Sequence, residues 1–158
     1  MLDKNSPHRK LPPALKALVA EQNIRKATAW ETPNLRQLGI NESLSTLGVD
    51  LVSPNANKHK IALCDLGITE ADYILSETGT LVLRSSAETS RAVSLVPRVH
   101  LAIVRPEMLC ADMHQVFAEA KDGHYLAFIT GPSRTADIEL TTTLGVHGPK
   151  DLYVWMMT

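Results

Sequence analysis

Several things are missing from this 158-residue chain, and each absence excludes a class. Its apolar runs are short, as at Leu101-Ala-Ile-Val104, whereas a membrane-spanning helix needs about 20 such residues. The opening Met1-Leu-Asp-Lys-Asn-Ser-Pro7 has no apolar core and no small-residue cleavage site, so it does not read as a secretory leader. A cytoplasmic protein without a membrane span is expected. The two cysteines, Cys64 and Cys110, stand alone outside any Cys-x-x-Cys spacing. That excludes a self-contained zinc or iron–sulfur ligand set. The six histidines show no ligand spacing, so no metal is expected. A net charge of −1 gives no electrostatic footprint for nucleic acid. Gly-x-Gly-x-x-Gly, the P-loop, Gly-x-Ser-x-Gly and His-Glu-x-x-His are all absent, which removes the standard nicotinamide, nucleotide-triphosphatase, hydrolase-elbow and zincin readings.

What is present is an ordinary globular composition, 44% hydrophobic and 21% charged, in a chain long enough for one sizeable core. The first 30 residues carry +4 and the remainder −5. Residues 1–13 are therefore expected to be a flexible basic N-terminus, with a single domain over 14–158. A helix is predicted from Ala14 to about Ala29, with Pro12 and Pro13 at its entry and Leu15, Leu18, Val19 and Gln22 on one stripe. A second helix is expected from Asn41 to Leu47, stopped by Gly48, and a strand at Val49–Ser53.

Apolar strands then follow at Tyr73–Leu75, Leu81–Leu83, Val99–Val104, Tyr125–Thr130 and Leu152–Met157. Helical stretches are expected at Pro106–Ala120, with Met108, Leu109, Met113, Val116 and Phe117 in the core, and at about Arg134–Leu144. The last two strands are apolar on both faces, which belongs in a sheet covered on both sides. The alternation predicts a layered α/β domain, a three-layer α/β/α arrangement with a mainly parallel or mixed central sheet.

Three segments have the composition to carry chemistry. In Thr130-Gly-Pro-Ser-Arg-Thr-Ala-Asp-Ile-Glu139 a buried strand is expected to end where a helix begins. Gly131 and Pro132 would shape a ligand loop there, Ser133 and Thr135 would offer hydroxyls, and Arg134 a cationic fork for a carboxylate or phosphate. The bland reading is that Ser133 or Thr135 caps the helix and Asp137 answers its dipole. In Ser76-Glu-Thr-Gly-Thr80, Gly79 suits a tight turn between strands. Alternatively, Glu77 serves as an acid or base, with Thr78, Gly79 and Thr80 holding a ligand. In Gly145-Val-His-Gly-Pro149, His147 is a turn residue or a proton carrier.

These segments, with Gly67-Ile-Thr-Glu-Ala-Asp72, Arg91 and Pro97, resemble the LUD-domain family over about residues 47–157. The resemblance implies a fold similar to the 5-formyltetrahydrofolate cyclo-ligase and sugar-phosphate-isomerase-like group. It implies an accessory role beside partner proteins that oxidise L-lactate to pyruvate, with the iron–sulfur clusters on a partner and no cofactor in this chain. The competing expectation is a stand-alone enzyme acting on an anionic small molecule of nucleotide, folate, CoA or phosphosugar type, with Glu77, Asp137 and His147 as the candidate catalytic residues.

Overall fold

Pro12 and Pro13 open helix α1 (Leu11–Glu21), which buries Leu15 and Leu18; proline in a first turn gives up an N–H that has no intrahelical acceptor. In this computed structural model, which describes residues 11–120, 125–136, 142–144 and 147–157, the chain continues through β1 (Lys26–Ala29), α2 (Pro33–Gln37), α3 (Ile40–Thr46), β2 (Asp50–Val52), α4 (Lys58–Ala62) and β3 (Leu66–Glu70). There follow β4 (Tyr73–Leu75), β5 (Leu81–Ser85), α5 (Ala92–Leu95), β6 (Val99–Val104), β7 (Leu109–Cys110), α6 (Met113–Glu119), β8 (Tyr125–Ile129), β9 (Arg134–Ala136), β10 (Thr142–Leu144) and β11 (Asp151–Met156).

The central sheet has the order β11-β6-β3-β1-β2 and is parallel throughout. All six residues of β6 are buried, as expected of a parallel strand covered on both faces. Helix α3 contacts α1, β1 and β2, whereas α4 and α5 contact each other and α5 rests on β3 and β6. A second sheet, β7-β4-β5-β8, is mixed. One of its faces adds Ile74, Leu81, Leu83, Ala127 and Ile129 to the main core, and Leu75, Val82, Cys110 and Val116 form a smaller cluster of their own.

Several local expectations are corrected. The first helix ends at Glu21 rather than near Ala29. Asn23 takes a left-handed φ of 50°, and Lys26–Ala29 is drawn into the sheet between β2 and β3, where tertiary pairing outweighs helix periodicity. The stretch expected as one helix over 106–120 is a single 3-10 turn (Pro106–Met108), the short strand β7 and then α6. Asp112 starts α6 by accepting the Gln115 N–H at 3.1 Å, a local cap that fixes the boundary. Of its expected core residues, Val116 is fully buried, while Leu109, Met113 and Phe117 are exposed.

The stretch expected as a helix over 134–144 instead holds β9 and β10, an antiparallel pair with Thr135 opposite Thr143. β-Branched residues favour the pleated surface over the helix. β8 and β11 are edge strands of their sheets, with Tyr125, Phe128, Val154 and Met156 exposed, rather than covered on both sides. The expected strands at 73–75, 81–83 and 99–104 are present, as is the Gly48 stop, at φ 78°. β1 and β3 were not expected.

β3 is broken in sequence by Gly67, and the structure gives the reason. A Cβ there would lie 1.9 Å from the Val93 carbonyl oxygen of α5, so the helix backbone rests directly on the strand. Gly67→Ala should destabilise the fold by at least about 1–3 kcal/mol, the usual cost of overpacking, read as a lowered urea midpoint. A wild-type midpoint would show that α5 moves away freely.

Candidate functional site

The chain leaves β1 for β2 on one side, then returns past β1 to reach β3. The crossovers therefore diverge between β1 and β3, and the carboxyl ends of strands at such a switch point form the usual ligand crevice of an open α/β sheet. A cavity of about 760 Å³ lies there. Its organiser is Glu70, the last residue of β3. The Glu70 carboxylate accepts hydrogen bonds from the Thr32 hydroxyl and the Asn34 side-chain amide, both at 2.8 Å. It also pairs with the Arg105 guanidinium at 3.2 Å, and only 11% of the Glu70 side chain is exposed. Thr32 serves twice, since its hydroxyl also caps α2 by accepting the Leu35 N–H. Arg105 reaches Glu107 at 3.6 Å with its other terminal nitrogen, while its Nε is buried without a hydrogen-bond partner.

A second carboxylate, Asp72, faces the same cavity and accepts the Arg84 backbone N–H at 2.7 Å. Burial holds its carboxyl above the ordinary carboxylate range, against the opposing effect of Arg84. The Arg84 guanidinium donates to the Tyr73 hydroxyl and sits 5.4 Å from that ring's centre, a cation–π geometry. The cleft thus sets two half-shielded carboxylates beside two guanidiniums, an arrangement suited to orienting a polar molecule and moving a proton. Cys110 borders the cleft, and Cys64 is buried elsewhere. Burial, with Asp65 beside it, pushes the Cys64 thiol up to about 11, so it stays protonated at neutral pH. Among the described residues no cluster of His, Cys, Asp and Glu is arranged to hold a metal ion.

The residues singled out from sequence lie elsewhere, in two groups. Gly79 occupies the β4–β5 turn with φ 69°, and its N–H donates to the Leu75 carbonyl. The hydroxyls of Thr78, Thr80 and Thr130 form a chain with spacings of 2.6 and 3.0 Å. Glu77 borders a separate recess beside them. Ser133 meets the third segment: its N–H donates to the Pro149 carbonyl at 2.8 Å, and its hydroxyl oxygen accepts the His147 N–H at 3.3 Å. Gly131, Pro132, Ser133 and His147 border a cavity of about 220 Å³. Arg134 and Thr135 continue into β9, so the loop precedes a strand and no helix macrodipole acts there. Asp137 and Gly145 lie outside the described residues.

Sequence reasoning missed Glu70 and Asp72 as site residues, although both fall in the block Gly67–Asp72. It also missed His100, which borders the smaller cavity while only 1% exposed. Its Nε2 is 2.7 Å from the Thr69 hydroxyl, and its Nδ1 is buried without a partner. Burial lowers its pKa to about 4.

Comparison with known proteins assigns the family. The LUD domain model matches residues 16–157, and the chain belongs to that family. It is 36% identical over 151 residues to lactate utilization protein C of Halalkalibacterium halodurans, covering 89% of this chain and 66% of the relative. It is 34% identical over 149 residues to the protein of that name from Shouchella clausii, covering 88% and 65%. The chain therefore spans about two thirds of the length of these relatives. A crystal structure of a DUF162 family protein from Deinococcus radiodurans shares the fold, with a TM-score of 0.51 at 18% identity, covering 94% of this chain and 97% of that one.

Two outcomes follow from this geometry. Glu70→Ala strips Thr32, Asn34 and Arg105 of a common acceptor and should cost about 1.5–3 kcal/mol, measured by urea unfolding. His100 has a folded pKa below its unfolded value of about 6.5, so the unfolded chain binds the extra proton in between. Its contribution is complete above about pH 6.5 and is lost as pH falls toward about 4. The urea midpoint should drop across that window, and the drop should be smaller in His100→Gln; equal drops would remove His100 as the cause.

Proposed function

We propose that this chain is an accessory subunit of a cytoplasmic system oxidising L-lactate to pyruvate, binding partner proteins that carry iron–sulfur clusters. The observation that carries the reading is the 36% and 34% identity to proteins named lactate utilization protein C. Oxidising lactate to pyruvate releases two electrons and two protons. In this reading the partners take the electrons, because the chain offers only two buried, separately placed thiols. Exposed apolar side chains support a docking role: Phe117 and Phe128 lie with ring centres 5.9 Å apart, near Met113 on α6, and large exposed apolar groups commonly mark protein contacts.

A second reading, a stand-alone enzyme, is favoured by the cleft at the switch point. There Asp72 would exchange a proton while Glu70 and Arg105 held the substrate in place. Co-expression of the chain with iron–sulfur lactate-oxidation proteins, followed by anaerobic purification, separates the two. The subunit reading expects a stable complex and lactate oxidation only when it is assembled. Turnover by the isolated chain, abolished in Asp72→Asn, would instead establish the enzyme reading.

A further inference from the structure

We infer that the smaller cavity, between β6, the end of β8 and the Ser133–Pro149 contact, binds a short-chain monocarboxylic acid. Its chemistry is opposite to that of the large cleft. The described residues of the cleft wall include five carboxylates against two guanidiniums, which repels a small anion. The described residues of the smaller cavity include no Asp, Glu, Lys or Arg, and two histidines. One wall is apolar, formed by Leu95, Phe128 and Leu152.

The other wall presents hydroxyl and imidazole groups. Ser133 uses its oxygen to accept the His147 N–H, so its own proton points elsewhere and is available to a carboxylate. His100 borders the same cavity while only 1% exposed, with its Nε2 2.7 Å from the Thr69 hydroxyl. The cavity has a volume of about 220 Å³. That admits an acid of three or four carbons. A carboxylate head on the hydroxyl wall and a methyl against Leu95 and Leu152 satisfy both surfaces. The choice of lactate and pyruvate as probes rests on the lactate-utilization reading.

The test is an NMR titration of the isolated chain, following the histidine ring signals, with L-lactate, pyruvate and acetate, and with lactamide as the uncharged control. Saturable shifts of His100 and His147 are expected with the acids, without matching shifts of His59 or His114. Ser133→Ala should bind about tenfold more weakly, the loss of one hydrogen bond to a charged group. Leu95→Trp, which fills the cavity from its exposed rim, should abolish the response; it keeps the test informative if Ser133→Ala fails to fold. The inference is overturned if no acid gives a saturable shift, if lactamide matches the acids, or if a folded Leu95→Trp responds like wild type. Because the titration uses the chain alone, its failure leaves complex formation with partners unaffected, and failure of the complex leaves the titration standing.

Discussion

The carboxylate of Glu70 closes the end of the sheet at which the large cleft lies. It accepts from Thr32 and Asn34, which follow β1, and pairs with Arg105, which follows β6. Three neighbouring parallel strands thereby converge on one anion. Parallel strands are joined by long crossovers, and nothing in their ladder bonds fixes the geometry of the loops that leave them. A shared, largely buried acceptor does so at low entropic cost, because each donor sits on a segment already anchored by a strand. The cap that Thr32 places on α2 extends the same constraint into the next helix. At the opposite end of the sheet Asp65 has an analogous role. Burial alone would push its carboxyl up, but the N–H groups of Arg25 and Lys26 and the Arg98 guanidinium outweigh that and hold it below the ordinary range. The start of β1 is thereby tied to the turn before β3.

The cleft and the smaller cavity differ in their polar chemistry. The cleft concentrates carboxylates and guanidiniums on loops that leave the parallel sheet, where side chains project past the last ladder bond toward solvent. The smaller cavity lies against His100, near the start of β6, and its described residues supply apolar side chains, hydroxyls and a second imidazole. A proton carrier belongs in the first kind of environment, where burial and like charge move a carboxyl toward neutrality. A small anion belongs in the second, where none of the described residues carries a fixed negative charge. The lactate-utilization reading makes use of both properties without requiring them at one point in space.

Much of the fold was legible in the sequence. The runs at 73–75, 81–83 and 99–104 are apolar enough to be strands in any context, and the Gly48 stop follows from local backbone chemistry. β3 was hidden because two of its five residues, Gly67 and Thr69, serve contacts with other elements, the Val93 carbonyl and the His100 ring. Neither partner is nearby in sequence, so no local pattern marks the strand. The same limit applies to the site: Glu70 becomes an organiser only when residues 36 and 38 positions earlier donate to it. The hydroxyl-bearing segments read as polar interruptions between apolar runs. In place of the helix expected over 134–144 the chain forms β9 and β10, because threonines favour the pleated strand over the helix.

The pairing of Ser133 with His147 and Pro149 shows what the spacing of those two sequence blocks means physically. β9 and β10 pair antiparallel with Arg134 opposite Leu144, so the residues just outside that pair are brought together as the base of a hairpin. Closing such a loop costs entropy that grows only slowly with its length, and the ladder bonds of three residue pairs offset it. Ser133 then needs only short range to reach the Pro149 carbonyl, and Gly148 approaches the Ser133 side chain so closely that an added Cβ would lie 3.2 Å from the Ser133 Cβ. The serine hydroxyl takes part as well, because it accepts the His147 N–H at 3.3 Å, and its own proton is left for a further acceptor in the cavity that Ser133 borders.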